Sequence, residues 1–107
     1  KENKMRYLLS FLPEVEEDTV SAYVWYEEKS KGLGEEFLRA FYASAAEISR
    51  TPNLYPKIYK NFHRKLLKRF PYVVYFLVES ETVIVYGLFH CARNPYLIQG
   101  KIDDRLS

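Results

Sequence analysis

Five residues have the chemistry to act on a phosphodiester: Arg64, Lys65, His90, Arg93 and Tyr96. Cations with a His or Tyr acid–base suffice for metal-independent RNA cleavage. There the RNA's own 2′-OH attacks, and the protein moves protons and compensates charge. The same set suffices for an electrostatic docking surface, and it would also solvate edge strands and keep them from pairing with neighbours. All three readings stand on residue type alone. Arg64 and Lys65 belong to a wider basic stretch in which Lys57, Lys60, Lys68 and Arg69 crowd beside Tyr59, Phe62 and Phe70 with no acid between them. That stretch reads as a basic surface for a partner. The segment from Glu14 to Glu36 has the opposite sign, eight acids against Lys29 and Lys31, and reads as a solvated helix face.

Other chemistries find no support. The sequence holds no GxGxxG, GKS/GKT, HExxH or GxSxG pattern. His63 and His90 lack partners at ligand spacing, so no metal and no cofactor is expected. Cys91 follows His90 directly, but neighbours on a strand point to opposite faces, so they would not form a thiol–imidazole couple. A single cysteine also excludes an internal disulfide framework. No apolar run reaches the roughly 18 residues a membrane span requires, and YLLSFL is too short for a secretory leader. A reduced, soluble, cytoplasmic domain with no membrane role is the expectation. Met5 is a candidate native start, with Lys1–Lys4 a lead-in of undecided origin.

The elements that must position these residues divide the chain in two. Its 107 residues suit one domain spanning 1–107. Arg6–Leu12 is a short β-prone run that Pro13 ends. Pro13 and the acids after it open a helix with Val15, Thr19, Ala22 and Tyr26 on one stripe, closed at Gly32 and Gly34. A second helix runs from about Glu35 to Arg50, with Phe37, Phe41, Ala45 and Ile48 at helical spacing. After Pro56 the composition turns to Val, Tyr, Phe and Leu, and Lys65–Arg69, Tyr72–Glu79 and Thr82–His90 read as strands. The last two are apolar on both sides, as central strands covered on both faces are. The order β-α-α-β-β-β predicts an α+β fold: an N-terminal strand, an αα-hairpin, then a three-stranded antiparallel sheet. With the first strand added, the hairpin would lie on one face of a mainly antiparallel four-stranded sheet.

This arrangement resembles the RelE/ParE superfamily of toxins from bacterial type II toxin–antitoxin (plasmid stabilisation) systems. "PEVEEDTVSAYVWY" (13–26) is similar to that family's first helix and "GEEFLRAFYASAAEISRTP" (34–52) to its second. "RKLLKRFPYVVYFLVESETVIVYGLFHCARNP" (64–95) carries the most, with its RFPY strand, charged hairpin and terminal H..R.P. Within the family, the RelE-like branch cleaves mRNA on the ribosome and the ParE-like branch inhibits DNA gyrase by binding. The cleaving branch carries an Arg after the Tyr of its central strand, where this chain has Val73, and paired basic positions that here read Arg64 and Leu66. Arg93 and Tyr96 would fill the C-terminal roles and His90 that of acid or base.

FPY and H..R.P place the resemblance on the ParE-like side, a binder rather than an enzyme. The alternatives are a ribosome-dependent endoribonuclease and an inactive member that keeps only antitoxin binding. The resemblance also implies a cognate antitoxin whose C-terminal segment folds on the toxin, and a homodimer or a toxin–antitoxin heterotetramer as the assembly. The helix aromatics Tyr23, Trp25, Tyr26, Phe41 and Tyr42 exceed what one hairpin face buries, which predicts an exposed apolar groove for that segment.

Overall fold

The computed structural model describes residues 6–107; Lys1–Lys4 and the candidate start Met5 lie outside them. In chain order it has β1 (Leu8–Phe11), α1 (Pro13–Lys29), α2 (Leu33–Arg50), a 3-10 turn (Pro52–Leu54), β2 (Lys57–Tyr59), β3 (Phe62–Leu66), β4 (Tyr72–Glu79), β5 (Thr82–His90) and α3 (Pro95–Leu106). The strands form one sheet in the order β1-β5-β4-β3-β2, parallel between β1 and β5 and antiparallel elsewhere.

The helical hairpin closes on its own side chains. Glu27 accepts hydrogen bonds from the backbone N–H groups of Gly32 and Gly34, both at 2.9 Å. Gly32 takes a left-handed φ of 90°, which a glycine adopts without strain. Gly34 lies so close to α1 that a Cβ there would sit 2.8 Å from the Tyr23 ring and 2.9 Å from its carbonyl oxygen. Val15, Ala22 and Tyr26 of α1 and Phe37, Phe41 and Ile48 of α2 then pack on Val74, Phe76, Val83, Val85 and Leu88 of the sheet. The opposite face holds a second cluster, where Ile98 and Ile102 of α3 cover Phe62, Val73, Tyr75, Tyr86 and Phe89. Two covered faces explain why β4 and β5 are apolar on both sides.

The fold departs from the expected one in three ways. It has five strands, because Lys57–Tyr59 turns back at Lys60, in a left-handed φ of 53°, and pairs with β3. The strand expected at 65–69 lies instead at Phe62–Leu66. Arg69 is left-handed, with φ 73°, and Leu67 N–H donates to Tyr72 O at 2.9 Å, so 67–71 is a turn rather than a strand. The C-terminal tail forms α3, with Pro95 at its first turn and the Asn94 side chain accepting from Tyr96 N–H.

Candidate functional site: a groove at the end of the central strands

Tyr72 opens β4 and His90 closes β5, and the two are partners in the ladder. Their rings meet edge to face, 5.1 Å apart. Beyond His90 the chain turns, with Arg93 N–H donating to His90 O at 3.0 Å. This brings Arg93 over a groove of about 580 Å³ between α1, the end of β5 and α3. Leu88 and Phe89 line it from the sheet, Trp25 and Glu17 from α1, and Lys101 from α3. Trp25 is 53% exposed, with the Lys29 ammonium 4.6 Å over its ring and Tyr26 edge-on.

A nearly buried ion pair fixes the three walls. Arg105 of α3 donates twice to Asp18 of α1, at 2.7 and 3.0 Å, and once to the carbonyl of Tyr86 on β5 at 2.8 Å. Asp18 also accepts the backbone N–H of Leu88 at 3.1 Å. The hydrogen bond that the Arg105 guanidinium donates to Asp18 raises its pKa. Gly87 is required beside it, since a Cβ there would lie 2.4 Å from the Phe89 ring.

Protonation states in the groove favour donors over bases. Burial pushes the Tyr72 phenol up, and Arg93 offsets that in part. Burial likewise raises Tyr26, with Tyr72 and Cys91 adding to it. His90 Nδ1 accepts the backbone N–H of Ala92 at 3.0 Å. An amide can only donate, so a neutral His90 carries its proton on Nε2 and has no free lone pair for base catalysis.

The five cleavage candidates are scattered. His90 and Arg93 share the groove. Lys65 lies on the face under the helical hairpin, 3.2 Å from Glu47 of α2. Arg64 alternates to the other face and pairs in register with Tyr75. Tyr96 stands 79% exposed on the first turn of α3. Val73, where the resemblance would expect a cation in a cleaving member, is buried in the cluster beneath α3.

The expected aromatic groove is also divided. Tyr26 and Phe41 are core residues, because their stripes face the sheet. Tyr23 is half-buried against Gly34. Trp25 and Tyr42 are each 53% exposed but border different hollows, Tyr42 lying with Phe11 and Thr19 at the other end of α1. Sequence reasoning passed over Asp18, Lys101 and Arg105, which lie in elements far apart along the chain.

No family model matches the sequence, and no curated protein matches it either. Solved structures do. A chain of the chromosomal ParDE TA system from P. aeruginosa superposes with a TM-score of 0.72 at 12% identity, covering 79% of this chain and 96% of that one. The E. coli toxin RelE, as a double arginine-to-alanine mutant in the free state, gives 0.60 at 12% identity, covering 96% of this chain and 100% of its own. This chain has the RelE/ParE toxin fold.

On that fold half of the basic stretch is paired. Lys60 is 2.8 Å from Asp103, which also accepts the Tyr59 hydroxyl, and Arg69 is 2.8 Å from Glu36. Lys57, Arg64 and Lys68 have no carboxylate partner among the described residues, so they are what remains for an outside anion. The hydrogen bond and charge of Lys65 hold Glu47 below the usual carboxylate range. A depressed carboxylate stabilises the fold above its unfolded-chain pKa, about 4.3, and that contribution is lost as pH falls through the lower folded value. Glu47→Gln is therefore expected to melt below the parent at neutral pH, by about 1 kcal/mol for so solvated a carboxylate. The gap should narrow in acid, below about pH 4. Thermal melts of both proteins across that range check it, and a gap independent of pH would refute it.

Proposed function

We propose that this chain is the toxin of a type II toxin–antitoxin pair and acts in the ParE-like manner, inhibiting DNA gyrase by binding it while a cognate antitoxin holds it silent. The RelE/ParE fold supports the toxin reading. The observation that carries binding over cleavage is the scattering of the cleavage candidates: Lys65 and Arg64 on opposite faces, Tyr96 outside the groove, and an apolar Val73 where a cation would be needed. Losing one donor that stabilises the transition state commonly costs roughly 10²–10³ in rate.

A second reading keeps one observation in its favour. His90 and Arg93 border the same groove, and an imidazole that can carry a second proton beside a cation is half of a metal-independent ribonuclease. Pulse-labelling after controlled expression in a bacterial host separates the two. Thymidine incorporation falling first, with methionine incorporation intact, is the expected result, and purified chain should then block supercoiling by gyrase. Translation falling first would replace the proposal with ribosome-dependent mRNA cleavage. Neither falling would leave an inactive member that keeps only antitoxin binding.

A further inference from the structure

We propose that the hollow at the hairpin end of β4 is a binding site for a free α-amino acid, a small zwitterion whose ammonium and carboxylate are held by different groups. It lies at the opposite end of β4 from the groove of Tyr72 and His90 and shares no residue with it. The inference goes beyond the toxin reading and does not depend on it.

His63 on β3 is the residue that carries it. It is only 4% exposed, yet it lines a hollow of about 370 Å³ together with Asn53, Lys57, Asn61 and Glu79. Its Nδ1 lies 2.7 Å from the carbonyl of Tyr55, and a carbonyl only accepts, so the neutral ring carries its proton there. One ring face is stacked on Phe76. Neither Tyr55 nor Phe76 borders the hollow, which leaves the ring edge bearing Nε2 to face it. Nε2 is then a buried acceptor with no hydrogen-bond partner among the described residues, and such atoms in folded chains are normally satisfied. The other polar groups suit an ammonium beside a carboxylate. Asn53 donates its amide N–H to the Tyr7 hydroxyl at 3.4 Å, which leaves its carbonyl oxygen for a ligand. With Nε2 and the Glu79 carboxylate that makes three acceptors, the complement of an ammonium with three N–H donors. Lys57 supplies the opposite charge. It borders the same hollow as Glu79 but forms no ion pair with it, so a ligand can span the two. Leu77 and Val78 form an apolar wall for the ligand's side chain. A phosphate would face three acceptors against one cation. A nucleobase would find no Phe, Tyr or Trp among the lining residues to stack on. The turn that carries Asn61 is already held, because Tyr59 and Lys60 both donate to Asp103 of α3, and that lowers the ordering cost of binding.

The chain has two histidines, so isotope labelling of the rings gives two Cε1 signals in NMR spectra, and His90→Gln tells them apart. The full labelled chain is titrated with L-leucine, whose side chain suits the apolar wall. The His63 signal is expected to move saturably, while that of His90, at the other end of the strand pair, stays still. Leucinamide lacks the carboxylate and N-acetyl-L-leucine lacks the ammonium. Each should bind about tenfold more weakly than L-leucine, and inorganic phosphate should leave the signal in place. Lys57→Gln and Glu79→Gln should each weaken L-leucine by about tenfold, the loss of a charge-assisted hydrogen bond. Both residues are exposed, so the substituted chains should melt with the parent. The two leucine analogues test the same charges without altering the chain at all.

A His63 signal that L-leucine leaves unmoved would remove the site. Equal binding of leucinamide would make this a cation site and overturn the zwitterion. Equal binding of N-acetyl-L-leucine, or a stronger response to phosphate, would make it an anion site and overturn the zwitterion as well. Parent-like affinity in both substituted chains would overturn the roles given to Lys57 and Glu79. A chain that stops DNA synthesis yet ignores L-leucine loses only this inference, and one that binds L-leucine but stops nothing loses only the toxin reading.

Discussion

Arg105→Ala is expected to lower folding stability by about 3 kcal/mol, the cost of stranding one member of a buried ion pair. The side chains of Arg105 and Asp18 are only 11% and 13% exposed, so water reaches the surviving carboxylate poorly. The substitution also removes the donor to Tyr86 O, which joins α3 to β5. For a domain of this size the melting temperature should fall by roughly 12–24 °C. The stranded charge is one part of that cost, and removing both charges recovers that part while leaving two backbone groups to find new partners. Arg105→Met with Asp18→Leu fills similar volume and leaves the Leu88 N–H and Tyr86 O without these partners, at about 1–3 kcal/mol each if water does not replace them. Thermal or denaturant unfolding of the parent and the two variants decides it. A single mutant within about 0.5 kcal/mol of the parent would place this pair among surface bridges of little energetic weight.

The same pair shows where sequence reading reaches its limit. The hairpin and the long central strands are legible because each is a local pattern. Phe37, Phe41, Ala45 and Ile48 recur at helical spacing, and β4 and β5 are continuous apolar runs around a charged turn. β2 is only three residues long, and its pairing depends on Lys60 taking a left-handed turn that no residue type announces. α3 did leave a local signal, Asn94-Pro95 followed by Ile98 and Ile102 one turn apart, an N-cap, a first-turn proline and an apolar pair. Its polar remainder, Lys101, Asp103, Asp104 and Arg105, reads as a solvated tail until Asp18 and Tyr59 are known to meet it. His90 and Arg93 could be picked out as site residues by type. That Lys65 turns away from Arg64 follows from strand alternation once both are known to lie on β3, whereas the helix that covers each face is seen only in the fold.

Among the aromatics of the two helices, Phe41→Ala is expected to cost about 3–5 kcal/mol, whereas Trp25→Ala should cost less than about 1 kcal/mol. Phe41 has no exposed surface and packs with Phe11 and Tyr42, so truncation opens a cavity under the hairpin. Trp25 loses an edge contact to the buried Tyr26 ring and the exposed cation of Lys29, while most of its own surface is already in water. Circular dichroism melts of the two variants measure the difference directly. The contrast determines how a partner-binding scan reads: lost binding in Phe41→Ala, or in Tyr26→Ala, follows from unfolding, while lost binding in Trp25→Ala or Tyr42→Ala at an unchanged melting temperature marks contact. Trp25 and Tyr42 border separate hollows, so a partner that wraps around α1 must lose affinity in both, and one seated only in the β5-end groove must lose it in Trp25→Ala alone. Equal melting losses in Phe41→Ala and Trp25→Ala would mean that Trp25 is held in the core, and the groove would then have no exposed anchor surface to offer.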